Sequence, residues 1–101
     1  MPDLHDEAAE EFAEVAEHYE RRQVGLGARF IREALKSLDR IDEAPLSGSL
    51  TQAEAPLPVE VRKMPVRSFP YRLVYVVEPR LVVVAFAHER RRPGYWHSRL
   101  P

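Results

Sequence analysis

The chain has 101 residues, 45% of them hydrophobic and 31% charged, and no cysteine. That length supports one modest core about two layers thick, and the missing cysteines exclude a disulfide framework, a thiolate metal site and a thiol nucleophile. The net charge of −1 is a balance of opposed halves: residues 1–60 carry 6 Lys/Arg against 14 Asp/Glu, and residues 61–101 carry 9 against 2.

A basic half is a footprint for phosphates or for an acidic protein segment. The pI near 6.4 lies below the value of about 9 that marks dedicated nucleic-acid domains, so direct sequence-specific DNA binding is not expected. No run is long enough to span a membrane. The opening MPDLHDEAAEE is acidic and lacks the apolar region of a secretory signal. A cytoplasmic protein with no membrane partner is the expectation.

From Leu4 to Tyr19 the apolar residues Leu4, Ala8, Ala9, Phe12, Val15, Ala16 and Tyr19 recur at steps of three and four, one helical stripe. Asp6, Glu7, Glu10 and Glu11 occupy its first turns, where the helix dipole favours anions. Gly25-Leu26-Gly27 breaks the pattern. A second stripe follows in Leu26, Phe30, Ile31, Ala34, Leu35, Leu38 and Ile41, and Pro45 forbids its continuation. So short a connection predicts an antiparallel helical hairpin over 4–43. Residues 44–58, rich in proline, read as a loop.

The period then becomes two. Strands are expected at about 59–64, 70–78 and 81–88, the last, LVVVAFAH, so continuously apolar that it is covered on both faces. The fold class is α+β: an N-terminal helical hairpin packed in two layers on a small antiparallel sheet, one domain over 1–101. Phe12, Phe30, Leu35, Leu38, Leu73, Tyr75, Val83 and Ala85 are the expected core. The sheet's far face, with Arg62 and Arg72, is expected to be open and positive.

In order and spacing, LHDEAAEEFAEVAEHYE, GLGARFIREALKSLDRIDEAP, RSFPYRLVYVV and VVVAFAHERRRPGYWHSR resemble the RelE/ParE toxins of type II toxin–antitoxin pairs, the ParE-like branch above all. Family members commonly begin with a strand; here only residues 1–5 are available for one, so it is expected to be stunted or absent. The resemblance implies a toxin neutralised by a cognate antitoxin. Two classes of target follow from it: DNA gyrase, inhibited by protein binding, or messenger RNA on the ribosome, cut by an endonuclease. A toxin that keeps only antitoxin binding is a third possibility.

Metal-independent RNA cleavage needs a base for the ribose hydroxyl, an acid for the leaving oxygen and cations on the phosphate. If the chain is a nuclease, His88, Arg90, Arg91 and Tyr95 are the candidate catalytic residues, with His97 as a further acid or base. The plainer reading has His88 ending a strand on backbone bonds and His97 in solvent. Arg62, Lys63, Arg67, Arg72, Arg90, Arg91 and Arg92 are candidates for gripping a target or an antitoxin. At least one of Arg90–Arg92 is expected to anchor the tail or to pair with the acidic helices. Tyr95 and Trp96 either stack on bases or pin the tail to the sheet. Glu14 and His18 stand at i, i+4, too few donors for a metal site. No metal and no cofactor is expected.

Overall fold

The computed structural model describes residues 2–51 and 56–101. The elements are β1 (Asp3–Leu4), α1 (Asp6–Arg22), α2 (Leu26–Glu43), β2 (Ser49–Leu50), β3 (Arg62–Pro65), β4 (Tyr71–Val76) and β5 (Val82–His88). The strands form one sheet in the order β1-β5-β4-β3-β2. Both helices lie on one face, as the periodicity implies.

The hairpin closes tightly because α2 begins with its amides already satisfied. The Glu20 carboxylate accepts from Gly25 N (2.9 Å) and Gly27 N (3.0 Å), two of the donors a helix start leaves unpaired. Gly27 is required by proximity: a Cβ there would lie 2.5 Å from the Ala16 carbonyl. The helices can therefore cross closely, and Phe30, Ala34, Leu38 and Ile41 are fully buried. With them pack Met64, Val66, Leu73, Tyr75, Val83 and Phe86 from the sheet. Phe12, Tyr19, Phe30, Phe69 and Tyr71 meet edge to face at centroid separations of 4.9–6.3 Å, a geometry worth about 0.5–1.5 kcal/mol per pair beyond area burial.

The structure differs from expectation in three places. The sheet is mixed rather than wholly antiparallel, because the opening strand, stunted as expected to the two residues of β1, pairs parallel with β5, Asp3 opposite Val82 and Leu4 opposite Val83. The segment read as loop contains β2, antiparallel to β3, while residues 52–55 of that loop lie outside the described residues. Within the expected core Leu35 is 38% exposed. The buried line of α2 is Gly27-Phe30-Ala34-Ser37-Leu38-Ile41, which leaves Ile31 and Leu35 on its flank. Ser37 is wholly buried because its hydroxyl donates to the Pro65 carbonyl (2.8 Å) at the margin of β3. Phe12 is partly buried.

β5 is covered on both faces through a bulge. Val74 pairs with Ala85 but Tyr75 with Val83, so Val84 is one residue extra and alternation slips by one. Val83 and Phe86 face the helices, whereas Val84, Ala85 and Ala87 join a second cluster with Val61, Val74, Val76 and Trp96 on the far face.

Candidate binding cleft

The chain leaves β5 at His88 and turns at once. Glu89 N donates to Pro70 O (2.9 Å), Arg90 N to His88 Nδ1 (3.0 Å) and Arg91 N to His88 O (3.0 Å). Gly94 takes φ 80°, a left-handed conformation open to glycine at little steric cost. A 3-10 turn, His97–Arg99, follows. These turns return the tail to the far face of the sheet, where Trp96 is 4% exposed and packs with Val61, Val74, Val76, Val84 and Ala87. That face is therefore not simply open, as the sequence suggests.

One carboxylate ties the tail to the helical layer. Because β1 ends at Leu4, the margin of β5 beyond Val83 has no neighbouring strand among the described residues. Glu11 from α1 and Arg99 from the tail fill the gap: Glu11 Oε1 accepts from Phe86 N (3.1 Å), and Arg99 Nη1 donates to Val84 O (3.0 Å). The two side chains pair bidentately, Nη1 to Oε1 at 2.8 Å and Nη2 to Oε2 at 3.2 Å, and Arg99 Nε reaches Glu7 Oε2 at 3.1 Å. Tyr95 Oη also donates to Glu11 Oε2 (2.8 Å). The Arg99 side chain is only 8% exposed. Burial opposes its charge, but the hydrogen bond to Glu11 and the charges of Glu11 and Glu7 outweigh this and hold the guanidinium above its usual range. Burial, then the bond to and charge of Glu11, push the Tyr95 hydroxyl far above its ordinary value.

The Tyr95 ring carries Arg91 at 4.0 Å and Arg99 at 5.1 Å from its centroid. Arg91 and Arg92 line a cleft of about 960 Å3 on the far face of the sheet together with Lys63 and Arg72, and Val74, Ala87 and Trp96 are among its apolar lining.

The structure thus sorts the candidates. Lys63, Arg72, Arg91 and Arg92 line one cleft, together with His88 and His97. Arg62 does not share the far face with Arg72: its Nη1 donates to the Leu46 carbonyl (3.1 Å) and the Gly48 carbonyl (2.9 Å), fastening the chain between α2 and β2. The same stretch is held by Tyr75 Oη, which donates to Pro45 O (2.7 Å) and accepts from Gly48 N (2.9 Å). Arg67 is exposed in the turn between β3 and β4, and Arg90 is exposed beyond β5. Of Arg90–Arg92, Arg91 contacts the tail through Tyr95, and the arginine that pairs with the acidic helix is Arg99. Glu14 and His18 are exposed on α1. Sequence reasoning misses Glu11 and Arg99 as a pair. They are 88 residues apart, and no local pattern links them.

The family model for the ParE toxin of the type II toxin–antitoxin system, parDE, matches residues 3–93. The chain belongs to the ParE toxin family, and membership implies an antitoxin partner. No curated relative matches the chain. No helix among the described residues is long and apolar enough to cross a membrane.

Proposed function

We propose that this toxin acts in the cytoplasm by binding DNA gyrase, and that its antitoxin neutralises it by covering the basic surface. The observation that carries the reading is that two of the candidate nuclease groups, Tyr95 and His88, are engaged within the fold. Tyr95 Oη donates to Glu11, which disfavours its ionisation, and its ring lies under Arg91. His88 Nδ1 is taken by Arg90 N, and its ring packs edge to face on Tyr71 at 5.0 Å. A general base must reach its proton with a free lone pair; a phenol held neutral by a carboxylate is poorly suited to that task. Cationic side chains in the same cleft suit recognition of a protein surface.

The test is a supercoiling assay with purified toxin, run beside ribosome-dependent messenger-RNA cleavage. Inhibited supercoiling with intact RNA is expected. RNA cleavage that disappears in Tyr95→Phe or His88→Ala would overturn the reading in favour of an endonuclease. Arg72→Glu is expected to slow association with the antitoxin and to flatten its salt dependence, since a rim charge acts mainly on the association rate. An unchanged rate at low salt would count against a basic antitoxin-binding surface.

A further inference from the structure

We infer that Glu11 and Arg99 form a latch that keeps the margin of β5 from adding a strand of a second copy of this chain, and that opening the latch exposes a self-association surface centred on Phe86. The inference is independent of the toxin's target.

Three observations support it. First, β5 is built to pair. Its stretch Val82–Ala87, VVVAFA, holds no charge, no proline and no glycine, the composition of a segment that stacks on copies of itself. Such a strand at a sheet edge is a template for another chain. β1 covers only Val82 and Val83.

Second, the two side chains stand where a neighbouring strand would bond. Val84 O and Phe86 N lie two residues apart and face the same margin, as alternation along a strand requires. Phe86 N donates to Glu11 Oε1 (3.1 Å), and Arg99 Nη1 donates to Val84 O (3.0 Å). The carboxylate stands in for a carbonyl and the guanidinium for an amide N–H, and a 2.8 Å bond joins the two. Each is held by a further partner besides the strand: Tyr95 Oη donates to Glu11 Oε2 (2.8 Å), and Arg99 Nε reaches Glu7 Oε2 (3.1 Å).

Third, a second copy is the occupant that fits. A hydrogen-bonded pair of an antiparallel ladder exchanges both N–H···O bonds. With Phe86 N turned to the margin, Phe86 of one copy can exchange both bonds with Phe86 of the other about a twofold axis. That contact is isologous and closes at a dimer. The opposite edge of the sheet needs no latch, because β2 has two residues and so short a strand is a poor template.

Sedimentation velocity over a range of toxin concentrations tests the inference. The wild type is expected to stay monomeric. Glu11→Leu combined with Arg99→Met leaves no acceptor for Phe86 N and no donor for Val84 O. That variant should self-associate about a hundredfold more tightly, roughly tenfold for each main-chain group uncovered. Glu17→Leu combined with Arg21→Met makes the same replacements in an exposed ion pair of α1 and should behave as the wild type. Hydrogen exchange locates the contact: in the latch variant, protection of the Phe86 amide should rise with protein concentration. Circular dichroism and thermal unfolding check that each variant folds. Arg99→Lys replaces a double latch variant that does not, since lysine keeps the charge but lacks the planar fork that serves Glu11 and Val84 O together. It should associate more tightly than the wild type.

A folded latch variant that stays monomeric overturns the inference. So does an equal rise in the Glu17 and Arg21 variant, or a dimer whose Phe86 amide exchanges as it does in the monomer. A wild type already paired at Phe86 overturns it as well, because the latch would then close nothing.

Discussion

On its helical face the sheet is covered by two regular elements, which bring Ala8 and Val15 of α1 and Phe30, Ala34, Leu38 and Ile41 of α2 down on it together. On the far face, Val61, Val74, Val76, Val84 and Ala87 are covered in large part by an irregular tail through one ring, Trp96. The helical face distributes its burial over many side chains at helical spacing, so a single truncation removes only part of the cover. The tail face concentrates it, and leaves beside the ring the cleft where the free cations gather. Regular packing supplies stability there and irregular packing supplies a surface for binding.

The largest test of this contrast is Trp96→Ala. A ring 4% exposed contributes its full transfer and cavity terms, so unfolding free energy should fall by about 3–5 kcal/mol, measured by urea denaturation. Leu35→Ala on the exposed flank of α2 should cost less than about 1 kcal/mol, because little apolar area is recovered from water at that position. Equal losses in the two variants would break the contrast.

The next effect in size concerns the Glu11–Arg99 pair. Glu11→Ala leaves the Arg99 guanidinium, 8% exposed, with Glu7 as its only remaining carboxylate and the Val84 carbonyl as acceptor, and frees Phe86 N. Breaking a buried pair by deleting one partner costs about 3–5 kcal/mol; because the Glu11 side chain is 16% exposed, the lower end applies, about 3 kcal/mol. Glu11→Leu combined with Arg99→Met should recover part of that loss, since an apolar pair leaves no charge unpaired. If the double variant is as unstable as the sum of the singles, the two residues act independently and the tail is not tied to α1 through them.

How much of this is legible in the sequence follows the same division. The hairpin can be read, because stripes at three and four residues are local: Phe30, Leu38 and Ile41 stand out as core from their spacing alone. The continuous apolar run of β5 announces burial on both faces. Periodicity places Leu35 wrongly, since a stripe gives the apolar arc but not where its centre lies against the sheet. β1 and β2, with two residues each, are too short to carry a period. The bulge at Val84 depends on pairing with β4, not on the residue itself. At the cleft, Arg72 and Arg91 are legible as cations and Trp96 as an anchor, because their types are informative wherever they sit. The placement of Arg62 is not, as its partners are the carbonyls of Leu46 and Gly48, and backbone acceptors have no sequence signature. Glu11 looks like an ordinary dipole-matched glutamate.

The smallest effect is the most specific, and it lies in the Tyr95 hydroxyl. Tyr95→Phe removes one hydrogen bond to a carboxylate that keeps Arg99 as partner, so at neutral pH the loss should be about 1 kcal/mol. The pH dependence says more. Unfolded, Tyr95 ionises near its ordinary value of 10.0; folded, burial and Glu11 raise it. Below pH 10 both states hold the proton and the stabilisation is fully present. As pH rises above 10 the unfolded chain loses its proton first, and stability falls until the folded hydroxyl also ionises. Tyr19 and Tyr71 are raised as well, each chiefly by burial, and contribute with the same sign. Unfolding free energy against pH should therefore slope downward above pH 10 in the wild type and less steeply in Tyr95→Phe. The phenolate absorbance of Tyr95 should appear at higher pH in the folded protein than in the unfolded chain. Identical slopes in the two proteins would mean that the hydroxyl is solvated, that Glu11 does not hold it, and that the ring beneath Arg91 is free to move.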